Sequence, residues 1–547
     1  MSSRRVAKGD RVQLVALLWD VRNAARQSGD AALRVVHFNL LLSDPRYRRE
    51  MLDRARLSRS QTLRRLAEEA ARIDHGQSLK PEEVQRPGNT PEAVEAAESV
   101  TEAQGKDMGK GKRGRWAFAS LAALALGGGG LAVANQWLGD SGPRIEQVGG
   151  SLHGDIVWQS DRVYRLTDQV FVEAGSTLTI EPGTRVEGER GSALVITRDA
   201  TINARGEAYN PVVFTSAQPE AERKAGDWGG LVLLGNAPIN TGTGSIEGIR
   251  EDDPRGSFGG SDRHDSCGYL QYARIEYAGY EISANNELNG LTIGGCGDAT
   301  ILRYIQVHAG LDDGIEFFGG TANLSHAVIT DADDDSLDWD RGWQGNAQFL
   351  VIRQSPGIGD NGFEADNLKA DHHAQPRSEP TIANVTMLGS GDPEGAQRGM
   401  TLRRGTGLDL RNALITGFPG EAIDIRDVAT VEQINRAALR MDGVVLAQNP
   451  NNRLFADESG EADDDGGFDE AAYFTGTGGV HTGVRVELEP GSESGGFPLV
   501  PVSDSVLAGQ AVDVPKGEFW DESARFVGAV RPGNRTTWLD GWTRPMD

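Results

Sequence analysis

The chain has 547 residues and a formal net charge of −25. That balance argues against nucleic acid and anionic lipid as partners and suits cations or a solvated surface. Seventy-one glycines beside 6% aromatic residues fit a turn-rich repetitive chain better than a compact helical enzyme.

Residues 9–74 carry apolar residues at helix spacing, among them Leu14, Leu17, Leu18 and Val21, then Leu33, Val36 and Leu40, with arginines between. Asp44-Pro45 breaks the pattern and a second amphipathic run reaches Ile73. The spacing predicts a small α-helical cytoplasmic module over residues 1–75, without a catalytic or metal-ligand signature. Residues 76–115 have linker composition and end in Lys110, Lys112, Arg113 and Arg115. The uncharged run 116–139 is long enough to span a membrane, and the basic flank puts its N-terminal side in the cytoplasm. The expectation is an anchor in a bacterial inner membrane, with all that follows in the periplasm or outside the cell. A cleaved signal peptide is the alternative, because Ala132-Val133-Ala134 has the small-x-small form and four glycines at 127–130 weaken the helix.

From Val172 to Thr184 apolar and polar residues alternate and close on Pro182-Gly183, which reads as the first coil of a β-solenoid over residues 150–500. Tyr272, Tyr304, His326, Phe349, Asn384, Asn412 and Gly443 are equivalent positions. The residues one and three places later are apolar in every copy, from Ala273 and Ile275 to Val444 and Leu446. A second strand set runs alongside, with inward pairs such as Ile315/Phe317 and Leu337/Trp339. Its outward residues are Thr292, Glu316, Asp338, Glu364, Thr401 and Asp424. A repeat of this length cannot bury its apolar face alone and must stack, so the pattern predicts a mainly β, right-handed parallel β-helix. Cys267 and Cys296 lie 29 residues apart, close to one coil; a disulfide between adjacent rungs and two buried thiols are the two readings.

The phrase Asp312-Asp313-Gly314-Ile315-Glu316-Phe317 recurs as Asp334-Asp335-Ser336-Leu337-Asp338-Trp339 and as Asp360-Asn361-Gly362-Phe363-Glu364-Ala365. Stacking turns these copies into a column, Asp312/Asp334/Asp360 beside Glu316/Asp338/Glu364, with Asp313 and Asp335 between. Carboxylates on neighbouring rungs repel, and three remedies are open. The acids are protonated, or they are paired with Arg341, Arg303 or Arg353, or they bind a hard cation. Calcium suits the last, with Asp312, Glu316, Asp334, Asp338, Asp360 and Glu364 as ligands. A catalytic groove would use Asp312, Asp313, Asp334, Asp335 and Asp338 as acids and bases, with His308 and Arg341 nearby. His326 reads as structural, and His372-His373 lacks the spaced ligands of a transition-metal site.

Further on, the acidic stretch 457–469 reads as a solvated loop. Residues 501–547, with Phe519-Trp520 and Trp538 through Trp542, read as a hydrophobic cap over the last coil, the alternative being an aromatic platform for sugar. The run Gly226-Asp227-Trp228-Gly229-Gly230 through Ala237-Pro238-Ile239-Asn240, with Ile275-Glu276-Tyr277-Ala278-Gly279, Phe317-Phe318-Gly319-Gly320-Thr321 and Trp538-Leu539-Asp540-Gly541-Trp542, resembles exported bacterial right-handed β-helix surface proteins and lipoproteins over about residues 150–547. The resemblance implies an envelope-facing β-helix and no particular reaction. The chain departs from it in carrying the N-terminal module and no lipid-anchor cysteine. The resulting expectation is a membrane-anchored, extracytoplasmic binding or structural module that meets an envelope glycan or protein and is stabilised by calcium. The alternatives are a polysaccharide lyase or hydrolase working in the acidic groove and a transmembrane sensor.

Overall fold

The computed structural model describes residues 18, 21, 45–58, 60–74, 144–250, 252–282, 287–456, 465–476, 479–491, 498–502 and 506–545. Residues 1–129 and 130–547 form two compact units. In the first, helices Pro45–Arg56 and Gln61–Asp74 pair through Met51, Leu52 and Ala55 on one and Leu63, Leu66, Ala67 and Ala70 on the other, all buried. Ser60 caps the second helix, its Oγ accepting from Leu63 N–H at 3.3 Å. The expected linker and membrane segment lie outside the described residues. Among the described residues no helix is long and apolar enough to cross a membrane.

In the second unit each coil visits three parallel sheets. The strand Gly268–Glu276 illustrates the path. Its first half pairs with Thr201–Arg205 below, its second half with Val212–Ser216, and the whole with Ile301–His308 above. The chain then crosses to Leu291–Gly294, which lies between Leu231–Leu234 and Ile315–Phe318 in the third sheet. The same register continues through Asn323–Thr330, Asn346–Arg353, Thr381–Leu388 and Leu408–Thr416 on the first two sheets. On the third it continues through Leu337–Asp340, Asn361–Ala365, Arg398–Leu402 and Asp424–Ile425. Parallel pairing of successive rungs fits a right-handed β-helix, the hand nearly all such crossovers take.

The bend between the first and second sheets is the repeat position read from the sequence. Tyr272, Tyr304, His326, Phe349, Asn384, Asn412 and Gly443 all have positive φ, from 47° to 67°. One left-handed residue turns the strand while its neighbours stay in the ladder. For Asn and Gly that conformation is cheap; for Tyr, His and Phe it costs about 1–2 kcal/mol. Stacking offsets much of it: the rings of Tyr272 and Tyr304 lie 4.4 Å apart, Tyr304 and His326 4.3 Å, and His326 and Phe349 4.7 Å. Inward columns such as Ile305, Ala327, Leu350, Val385 and Ala413 are fully buried.

Two expectations about the ends need correction. The coils begin earlier than Val172, with Arg144–Leu152 paired to Arg162–Val172, and Trp158 stacks on Tyr164 at 4.7 Å inside the first turns. At the other end, the described residues of 501–547 run along the flank, over the bends, and meet the last coil from the side, with Leu507 and Val527 against Val445 and Ala447. Asn412 Nδ2 donates to Val512 O at 2.9 Å, Asn384 Nδ2 to Phe526 O at 2.7 Å, and Arg544 N–H to Gln306 Oε1 at 2.6 Å. Trp538 and Trp542 meet the aromatic stack edge-on, at 5.1 Å from His326 and 5.9 Å from Tyr272. The physical reason is that outward positions of the second sheet, Val328, Val351 and Leu388, are apolar, and Ala529, Val530 and Trp542 bury them. The end of the core is packed by Phe455, Phe468, Tyr473 and Phe474, of which Phe468 falls in the stretch 457–469 read as a loop.

Candidate functional site: an acidic groove on the third sheet

The outward positions of the third sheet stand in register as Val232, Thr292, Glu316, Asp338, Glu364, Thr401 and Asp424. The acids begin where a lid ends. The insertion between Leu234 and Gly268 lays Ile239, Ile246, Ile249 and Phe258 over Val195, Val232 and Phe318, so the first rungs are apolar on their outer face too. Cys267, at the end of that insertion, is bonded to Cys296 with Cα atoms 5.8 Å apart. Glu247 on the lid lies beside Glu316, and burial raises its pKa. Glu247 gave no signal in the sequence, since it lies on a loop far from the acidic copies.

Three acidic columns run up the groove. Asp312, Asp334 and Asp360 form the solvent side, Asp313, Asp335 and Asn361 the turn beneath, and Glu316, Asp338 and Glu364 the sheet. In four groups the carboxylate oxygens lie within 4.8 Å of one another: Asp312/Asp313/Asp334, Asp334/Asp335/Asp360, Asp313/Glu316/Asp338 and Asp335/Asp338/Glu364. The turn column is knitted by its own hydrogen bonds. Asp335 N–H donates to Asp313 Oδ1 at 2.9 Å, and Asn361 donates through N–H and Nδ2 to Asp335 Oδ1, both at 2.8 Å. Asn289 Nδ2 donates to Glu316 Oε2 at 2.5 Å. Asp338 differs: its Oδ1 is sealed from solvent and has no hydrogen-bond partner.

Arginines neutralise one end only. Arg398 holds Asp360 at 3.0 Å and Glu421 at 3.1 Å, and Arg403 pairs with Glu364 and, at 2.8 Å, with Asp366. Arg404 also reaches Asp366, and Arg426 holds Asp424 at 2.8 Å. Of the three arginines named from the sequence, Arg341 reaches the groove, meeting Asp340 at 3.5 Å, whereas Arg353 meets Asp331 at 3.4 Å and Arg303 donates to Gln271. Among the described residues Asp312, Asp313, Glu316, Asp334, Asp335 and Asp338 form no ion pair. Asp340 and Asp366 belong to the groove and were readable, because each follows Asp338 or Glu364 by two residues and so shares its face.

Removal from water and mutual repulsion act in the same direction here. Burial, then Asp334, pushes Asp312 up to about 8. Burial, then Asp334, raises Asp335 to about 7 against the Asn361 hydrogen bonds. Burial raises Asp340 to about 7 against Arg341, and Asp366 to about 7 against Arg404. Asp313, Glu316 and Asp338 rise well above the usual carboxylate range, through burial first and then neighbouring acids. Asp334 is raised as well, by desolvation and then Asp360.

The histidines do not join this groove. His308 lies on the second sheet, bonded to Thr330 Oγ1 at 2.8 Å, and burial lowers its pKa. His326 sits in the aromatic stack, and His372 Nδ1 lies 3.6 Å from Asp427.

Three stacked parallel sheets with a row of carboxylates on one define a parallel β-helix protein with an acidic surface groove. The chain belongs to the pectate-lyase-like beta helix domain family, whose sequence model matches residues 150–482. No curated protein and no solved structure matches it.

Proposed function

We propose that the β-helix is an extracytoplasmic binding module whose acidic groove takes a hard divalent cation, calcium by preference. The single observation that carries the reading is the cluster of acids without ion pairs among the described residues, where Asp338 holds a solvent-sealed oxygen with no hydrogen-bond partner beside other carboxylates. Two oxygens bound to one calcium at about 2.4 Å stand up to about 4.8 Å apart. The carboxylate groups have that spacing. Asp313, Glu316 and Asp338, or Asp335, Asp338 and Glu364, would hold the ion, and Asp312, Asp334 and Asp360 would complete an outer site. A cation there replaces the protons that the raised pKa values otherwise require. Calcium rather than magnesium suits a donor set that is irregular and rich in oxygen. The disulfide supports an oxidising compartment, in line with a membrane-anchored envelope protein.

A second reading, a carbohydrate-active enzyme, draws on the family and on closely spaced carboxyls whose pKa values are raised toward neutrality, as a general acid requires. Asp312, Asp313, Asp334, Asp335 and Asp338 would be its acids and bases. One experiment separates the two. The melting temperature is measured with calcium and with chelator, beside turnover of a panel of neutral and acidic polysaccharides. A calcium-dependent rise without turnover supports the binding module. Turnover abolished by Asp334→Ala and Asp338→Ala supports the enzyme, and neither result leaves the groove a proton-sharing structural feature.

A further inference from the structure

On the outer surface of the first sheet, away from the acidic groove, lies a second cleft of about 630 Å³. Its floor comes from two adjacent rungs. Ile301 is in register with Asn323 and Arg303 with Ser325, and strand alternation turns all four outward. Glu518 and Phe519 of the C-terminal segment make one wall, and Asp298 also lines the cleft. The wall is fixed rather than loosely draped. Gln348 Oε1 accepts from Asp521 N–H at 2.9 Å, Asn384 Nδ2 donates to Ala524 O at 3.0 Å, and Phe519 meets Trp520 edge-on with ring centroids 4.9 Å apart.

The groups facing this space combine one flat apolar ring with polar groups of several kinds. Arg303 spends Nε on Gln271 at 2.8 Å and forms no ion pair among the described residues. Asn323 uses its Oδ1 to accept from Asn346, at 2.9 Å from the main chain and 2.8 Å from Nδ2, which leaves its own NH₂ for a ligand. Ser325 adds a hydroxyl. A sugar ring has an apolar C–H face and an equatorial belt of hydroxyls, and each hydroxyl both donates and accepts. Phe519 matches the face; the Arg303 and Asn323 donors and the Glu518 and Asp298 acceptors match the belt. Two carboxylates against one guanidinium disfavour a uronic or sulfated unit, and a floor this polar disfavours a lipid. The volume lies within the range of small-molecule sites, about 300–1,000 Å³.

We propose that this cleft is a binding subsite for an uncharged, hydroxyl-rich unit of a glycan, stacked on Phe519 and hydrogen-bonded by Arg303, Asn323 and Ser325. It is separate from the acidic groove and needs no cation. The rungs repeat along the axis at about 4.8 Å, so a linear glycan laid along them presents successive units to successive rungs.

The test is calorimetric titration and affinity electrophoresis of the full chain in chelator, with cello-, xylo- and laminari-hexaose as neutral probes and an oligogalacturonate as the acidic one. At least one neutral hexaose binds; Phe519→Ala weakens it about tenfold, and Ser325→Trp, which fills the cleft from a surface position, abolishes it. Because every titration is run in chelator, the result does not depend on cation binding in the acidic groove. The proposal is overturned if no neutral hexaose binds, if only the oligogalacturonate binds, or if Ser325→Trp, folded with an unaltered melting temperature, binds as the parent does.

Discussion

Asp335→Asn changes a single charge and tests the electrostatics of the groove directly. Asp335 is 1% exposed and burial with Asp334 raises it from 3.8 to about 7. Because its folded value lies above its unfolded one, its contribution to stability is complete below about pH 3.8 and is lost as pH rises to about 7. At about 1.36 kcal/mol per pKa unit the full loss is on the order of 4 kcal/mol. Coulomb's law gives an independent figure: two unit charges 4.8 Å apart at an effective dielectric near 20 repel by about 3.5 kcal/mol. The asparagine keeps the Oδ1 that accepts from Asn361 and removes only the charge. In chelator, guanidinium unfolding followed by tryptophan fluorescence at pH 5 and pH 8 is expected to show the variant gaining on the parent by about 2 to 3 kcal/mol over that interval. Added calcium is expected to reverse the ranking, since the variant then lacks a ligand oxygen. An identical pH dependence in variant and parent would refute the reasoning, because Asp335 would then be an ordinary carboxylate.

Arg403→Met strips Glu364 of its counter-ion and leaves Asp366 with Arg404 alone, and is expected to destabilise the β-helix by about 3–5 kcal/mol in the same unfolding assay. Trp542→Ala removes a side chain that is 1% exposed and locks the C-terminal segment to Tyr272 and Tyr304; a loss of about 3–5 kcal/mol and faster proteolytic release of that segment are expected. Cys296→Ser opens a loop of separation 29, with an expected loss of about 3–4 kcal/mol. Thiol titration of the denatured parent before and after reductant checks that the bond is there.

The stacking of the coils was fixed by the sequence at short range. A strand's two-residue period decides which side chains point inward, so Ile315 and Phe317 had to face one way and Glu316 the other, and equal spacing of the copies put Glu316 beside Asp338 and Asp338 beside Glu364. The left-handed bend at Tyr272, Tyr304 and His326 was legible as a repeat position, though its conformation was not, since Tyr and His are poor left-handed residues in isolation. What only the tertiary structure decided depends on contacts between distant segments. The lid that carries Glu247 to Glu316, the pairing of Arg398 and Arg403 with Asp360 and Glu364, and the course of residues 506–545 along the flank all involve partners dozens to hundreds of residues apart. Local periodicity reports which face a residue occupies; it holds no information on which loop will fold back over that face.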